Sequence, residues 1–259
     1  MTEWNRGGRK VVIHYHVFKN AGTSIDHLLQ GIFGASWLQL DEGIRPLRPG
    51  VAAEALERRP DVRALSSHML RPPAPDGLHV FPIALLRHPL DRAYSCYSYC
   101  RRVEPIYESM VVAHRCAFPE YVTWCLDNPA RGGMVIVNYQ TIHFSSASFR
   151  VDDVLQAVAT ESDLEEAWAL VRSLPVPGIV DEYQSYVERL RSPLSEFAGT
   201  SIEFAPVRAN VSAERRPLPL EQALSELGGL LGPLLLNRFQ QMNQFDYRLY
   251  DRTAKAVRR

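Results

Sequence analysis

Short apolar runs alternate with amphipathic stretches along this chain, and that alternation sets the expected fold. Val11-Val12-Ile13, Val62-Arg63-Ala64-Leu65-Ser66 and Phe81-Pro82-Ile83-Ala84-Leu85-Leu86 are brief and apolar, as buried strands are, the last ending at Arg87. Apolar spacing of three and four predicts helices from Thr23 to Phe33, Val51 to Arg59, Phe118 to Asp127, Val151 to Ala159 and Asp163 to Ser173. Pro46, Pro49 and Gly50 mark an irregular surface excursion after the first helix. Pro129 with Gly132-Gly133, and later Pro175 and Pro177, close helical stretches, and Gly178 to Tyr183 reads as a strand entering a helix. Strands alternating with helices give an α/β fold: one domain over residues 1–259, with a central, mainly parallel sheet flanked by helices. Residues 1–10 are expected to be a flexible N-terminus and residues 252–259 a frayed C-terminus.

The first strand leads directly into chemistry. After Val11-Val12-Ile13 come His14-Tyr15-His16-Val17-Phe18-Lys19-Asn20-Ala21-Gly22-Thr23-Ser24, then the apolar run of a helix. Gly22 is expected to take a backbone conformation closed to other residues, and Thr23 and Ser24 are good caps. The first amides of the helix have no partner within it, so such a turn binds an anion, and Lys19 can reach the same group. A Walker A loop would place its lysine directly before Ser/Thr, whereas Lys19 precedes Gly22 by three residues.

Two further strand ends carry candidates. The second buried run delivers Ser67-His68-Met69 to its C-terminal end, where ligands bind in open α/β sheets, and His68 can titrate near neutrality. The third delivers Arg87, followed by Pro89 and Asp91 at a helix start. Ser95 lies about 9 Å along that helix from Pro89 at a rise of about 1.5 Å per residue, so Arg87 and Ser95 can approach one oxyanion. Asp91 and Arg92 are expected to form ordinary surface pairs.

Composition narrows the picture without changing it. The 29 basic and 29 acidic residues cancel, so charge asks for neither nucleic acid nor an acidic membrane. An apolar fraction of 46% with 22% charged residues suits a soluble globular domain. The N-terminus is polar and basic, unlike a signal or anchor. The longest apolar run, Leu227 to Leu236, is broken by glycines and Pro233, and no membrane span is expected. Cys96, Cys100, Cys116 and Cys125 read as reduced thiols, and with His114 they match no standard zinc spacing. A cytoplasmic location is expected.

The order Lys19-Asn20-Ala21-Gly22-Thr23-Ser24 resembles the 5′-phosphosulfate loop of sulfotransferases that use 3′-phosphoadenosine 5′-phosphosulfate (PAPS). The match is to the His-x-x-Lys-Thr-(Ala/Gly)-Gly-Thr-Ser form of the heparan sulfate 2-O and 6-O sulfotransferases and their bacterial relatives, with Asn20 in place of Thr. Leu86-Arg87-His88-Pro89-Leu90-Asp91-Arg92-Ala93-Tyr94-Ser95 is similar to the same family's 3′-phosphate motif, and Ser66-Ser67-His68 stands where the 2-O enzymes carry a His-Gly-His segment with the base. Asn138-Tyr139-Gln140-Thr141 resembles a segment of the 6-O enzymes and is expected to border the acceptor cleft, while Phe245 to Tyr250 resembles the family's closing helix.

The resemblance implies a P-loop-like architecture and sulfuryl transfer from PAPS, releasing PAP, with no metal required. It assigns His68 as general base and Lys19 as the cation at the leaving oxygen. Asn20, Ala21, Gly22, Thr23 and Ser24 would hold the 5′-phosphate, and Arg87 and Ser95 the 3′-phosphate. Arg208, Asn210 and Ser212, in a basic loop resembling the family's Asn-Val-(Ser/Thr) segment, would add cofactor contacts. The acceptor implied is a carbohydrate, glycolipid or small-molecule hydroxyl. A Mg²⁺-dependent nucleotide kinase using Asp181-Glu182, and a non-catalytic PAPS-fold binding module, are the alternatives.

Overall fold

The structure is a computed structural model that describes residues 4–5, 8–41, 45–204 and 218–258. These residues fall into two compact units, one within Met1–Leu86, Ala169–Asn210 and Thr253–Arg259, the other within Arg87–Trp168 and Val211–Arg252. The strands are β1 (Arg9–Tyr15), β2 (Trp37–Gln39), β3 (Ala64–Ser67) and β4 (Leu78–Ile83). The helices are α1 (Gly22–Phe33), α2 (Pro49–Arg58), α3 (Pro89–Cys100), α4 (Glu108–Arg115), α5 (Phe118–Asp127), α6 (Tyr139–His143), α7 (Glu161–Arg172), α8 (Tyr183–Ala198), α9 (Leu220–Met242) and α10 (Gln244–Val257).

The first unit holds the sheet, with all pairs parallel, in the order β2-β3-β1-β4. All of β3, and β1 from Val11 onward, are buried, so Val11-Val12-Ile13 and Ala64-Leu65 run apolar without alternation. Ile25, Leu28 and Leu29 of α1 and Tyr186, Val187, Leu190 and Leu194 of α8 join Val12, Phe81 and Ile83 in one buried cluster. Each such aliphatic side chain contributes about 1.5–3 kcal/mol by leaving water. Trp4 is buried too, its indole N–H donating to the carbonyl and hydroxyl of Ser173 at 3.0 and 2.9 Å.

Three of the expected elements change. The irregular section after α1 contains β2, a strand of three residues paired to β3, too short to register as a pattern. Gly178 to Tyr183 forms no strand: one parallel bridge joins Ile179 to Leu86, and a 3-10 turn at Val180–Glu182 opens α8. Val151 to Ala159 is not an α-helix. The Asp153 carboxylate accepts the Leu155 amide at 3.0 Å and turns the chain into a short 3-10 segment, Val154–Gln156, while Ala157 and Ala159 bury against Met134 and Ile142.

The second unit is helical. Tyr97 of α3 packs on Phe118 and Tyr121 of α5, and α9 breaks at Gly232, whose φ of 72° precedes Pro233. Cys96 and Cys100, one turn apart on α3, have sulfurs 4.0 Å apart, and all four cysteines are free thiols. Arg92, expected on the surface, is 1% exposed, and its guanidinium donates to the Val135 carbonyl and covers the Tyr139 ring. Among the described residues no helix is long and apolar enough to cross a membrane.

His88 precedes α3 with its ring edge-on to Tyr247 and Tyr250, and its buried Nδ1 has no hydrogen-bond partner. Burial pushes its pKa down from 6.5 to about 4, so the folded protein keeps it neutral where the unfolded chain would protonate it. Its contribution is complete above pH 6.5 and is lost as pH falls toward about 4. Urea unfolding of His88→Phe at pH 7 and pH 4.5 is expected to show a smaller loss of stability on acidification than wild type, by at most about 3 kcal/mol. An identical loss in both proteins would refute this account of His88.

Candidate functional site

β1 delivers the site. Its side chains alternate, so Val12, His14 and His16 share the face on which α1 packs. Asp26 belongs to the inward stripe of α1, and its two oxygens accept from Nδ1 of His14 and Nδ1 of His16, each at 2.8 Å. All three residues are buried. Burial works to raise the pKa of Asp26, but the two imidazole donors outweigh it and hold the carboxyl well below the usual carboxylate range. For His16, burial dominates and lowers the pKa, with the Asp26 bond opposing it.

The turn between β1 and α1 departs from the expectation in its details. The left-handed positions are Lys19 (φ 66°) and Ala21 (φ 60°), not Gly22. Two non-glycine residues there cost about 1–3 kcal/mol each unless their surroundings fix them. Gly22 is required for space, because a Cβ on it would lie 1.9 and 2.0 Å from Cδ2 and Nε2 of His16. Thr23 and Ser24 are residues within the first turn of α1 and do not cap it. The cap position is Ala21, which offers no side-chain bond to the helix. Asn20 is buried and its amide donates to the Leu85 carbonyl at 2.7 Å, tying the turn to the chain beyond β4. Lys19 is half-buried, with Nζ 5.7 Å from the centre of the Phe18 ring.

Parallel register brings His68 to this turn. Tyr15 pairs with Ser67, and His16 N–H donates to the Ser67 carbonyl at 2.9 Å, so the next residues, His16 and His68, stand side by side with ring centres 3.6 Å apart. One strand further, Asp41 follows β2 and accepts the His68 amide at 2.7 Å, while Arg71 donates to the His68 carbonyl at 2.7 Å. The His68 Nδ1 lies 3.1 Å from the His16 carbonyl. A carbonyl only accepts, so Nδ1 carries the proton and Nε2 is the basic nitrogen. Burial, reinforced by neighbouring His16, pushes the His68 pKa down to about 4. The chain leaves β1 toward β2 and leaves β3 toward β4 on the opposite side. The C-terminal ends that carry the turn and His68 therefore flank the reversal of strand order, where α/β sheets bind ligands.

No family model matches this chain. An uncharacterized protein of Archaeoglobus fulgidus is 26% identical to it over 254 residues, which span 95% of this chain and 96% of that protein. The likeness thus takes in both units.

Arg87 and Ser95 belong to the second unit. Arg87 Nε donates to Asp91 Oδ2 at 2.6 Å, and Asp91 stands one helical turn before Ser95 on α3. Arg87, one of the two residues expected to share an oxyanion, is therefore already paired with a carboxylate. Arg208, Asn210 and Ser212 lie outside the described residues. His114 and Cys116 are bonded to the Val103 and Val112 carbonyls.

The motif reading passed over His14, His16, Asp26 and Asp41. The first three left a trace: histidines two apart in a strand share a face, and a lone acid beside Ile25, Leu28 and Leu29 needs a buried partner. Asp41 left none, because its position depends on β2. Gly22→Ala is expected to destabilise the protein by about 1–3 kcal/mol through overpacking against His16. In a His16→Ala background, itself destabilised by the lost Asp26 bond, the further cost of Gly22→Ala should shrink in chemical unfolding; a strictly additive double variant would show that the ring is not what Gly22 accommodates.

Proposed function

We propose that this protein transfers a sulfuryl group from PAPS to the hydroxyl of a carbohydrate, glycolipid or small molecule. The observation that carries the reading is His68: its Nδ1–H is tied to the His16 carbonyl, which makes Nε2 a base at the mouth of the β1–α1 turn. Bound there, PAPS supplies an activated sulfur whose S–O bond to the 5′-phosphate breaks as the acceptor oxygen bonds to sulfur. His68 Nε2 takes the acceptor proton. Lys19 and the uncapped amides of α1 stabilise the charge left on the 5′-phosphate, with Thr23 adding a donor. Arg87 and Ser95 take the 3′-phosphate, Arg87 as a planar fork suited to a dianion. The residues suit such an anion because α1 begins with no side-chain cap and Lys19 and Thr23 are not fully buried.

The carboxylates on which a kinase would depend are otherwise engaged: Asp181 and Glu182 pair with Arg258 at 3.1 and 2.7 Å. That weighs for the sulfotransferase over a Mg²⁺-dependent phosphoryl transfer.

Thermal unfolding with PAP, beside ATP with and without Mg²⁺, tests the reading: PAP is expected to raise the melting temperature, and the shift should vanish in Arg87→Ala. A response to Mg-ATP alone would overturn the assignment. Lys19→Ala and His68→Ala are each expected to cut turnover by about 100-fold or more while the protein stays folded. Because His68 must be unprotonated to act, kcat/KM of wild type should rise with pH through about 4 and then level off. Wild-type turnover in His68→Ala would remove it as the base.

A further inference from the structure

Gln140 and Asp246 lie in segments whose sequence suggested an acceptor-cleft border and a packing helix. Their hydrogen bonds point to a different task. Gln140 is fully buried, and its side-chain amide closes on one peptide position from both sides. Its Oε1 accepts the Arg87 N–H at 2.9 Å and its Nε2 donates to the Arg87 carbonyl at 3.0 Å. Those two backbone groups lie past the end of β4, where the ladder no longer serves them.

Gln140 is itself held by reciprocal caps. The buried Asp246 carboxylate accepts from the amides of Gln140 and Thr141 at 3.1 and 2.8 Å and from the Thr141 hydroxyl at 2.8 Å, which caps α6. In return Asn138, itself at φ 46°, accepts the Phe245 and Asp246 amides, both at 3.1 Å, which caps α10. Asn138 N–H donates to Asn243 Oδ1 at 2.9 Å and Asn138 Nδ2 to the Met242 carbonyl at 2.7 Å. Two helix starts therefore cap one another, and the brace they form presents a single side chain to Arg87.

We propose that Gln140 is a positioning residue that fixes the backbone of Arg87, just ahead of α3, so that the guanidinium, which Asp91 of that helix holds through Nε, is set for a phosphate dianion. This rests on the reading of Arg87 as the 3′-phosphate ligand. A polar residue merely needed for packing would weaken every nucleotide alike. One that positions Arg87 acts only on ligands that Arg87 holds.

The test is calorimetric titration of wild type, Gln140→Leu, Arg87→Ala and the double variant with PAP and with 5′-AMP, which lacks the 3′-phosphate. Gln140→Leu is expected to weaken PAP by about tenfold or more while changing 5′-AMP by less than about twofold. In the Arg87→Ala background it should cost PAP nothing further. Equal losses for both ligands, or full additivity in the double variant, would overturn the proposal. Hydrogen exchange at the Arg87 amide separates this inference from the functional reading: it should be slow in wild type and fast in Gln140→Leu. No PAP binding to wild type with that exchange difference intact would sink the sulfotransferase reading and leave the brace standing. An Arg87 amide that exchanges equally in both proteins would remove the brace.

Discussion

Everything at the end of the sheet depends on one buried carboxylate. Asp26, 7% exposed, is charged because two imidazole N–H groups meet it, and removing either would leave a buried anion short of a partner at a cost of about 3–5 kcal/mol. Its bonds lock α1 to β1 immediately beyond the turn that joins them. That lock offsets the left-handed backbone of Lys19 and Ala21 and sets the His16 ring where only glycine can begin the helix. A strained turn persists when its surroundings over-determine it, and here those surroundings are His16, Asp26 and the Asn20 amide on Leu85.

From His16 the order propagates sideways through strand register. Parallel pairing places the residues that follow β1, β3 and β2 in a row, and so His16, His68 and Asp41 touch although they are far apart in the chain. His68 is held at its amide, its carbonyl and one ring nitrogen, leaving its orientation little freedom. Its low pKa follows from that confinement: a ring packed against another imidazole and out of water is costly to charge. A ring of this kind is neutral at physiological pH, with Nε2 left as its basic nitrogen.

Sequence reading succeeded where a local pattern decides the outcome. Phe118 to Asp127 is a helix with those bounds, and α7 begins two residues before its expected start, because Asp163 accepts from Thr160 at the helix entry. It also placed a turn between β1 and α1 and His68 just past the end of β3, since both follow short apolar runs. It failed where contact between distant segments decides. β2 exists only because β3 accepts it, and Val151 to Ala159 gave up a helical pattern to an Asx turn and a small apolar cluster. Gly22 was noticed for the wrong property: the chain there needs room for a ring from β1, which no window around residue 22 reveals.

Burial divides the motif residues into two kinds. Asn20, Gly22 and Ser24 are enclosed, and the partners of Asn20 and Gly22 lie inside the protein, so they shape the turn. Lys19, Ala21, Thr23, His68, Arg87 and Ser95 are only half-buried, and these are the groups able to meet a ligand. Each unit also holds a buried set of polar side chains satisfied within the protein: His14, His16 and Asp26, which bond to one another, and Asn138, Gln140 and Asp246, which bond mainly to backbone groups. Buried hydrogen-bonded groups of this kind contribute little net stability compared with apolar packing, but they permit one arrangement and penalise others. Where backbone and side-chain placement must be unique, that selectivity matters more than another apolar contact.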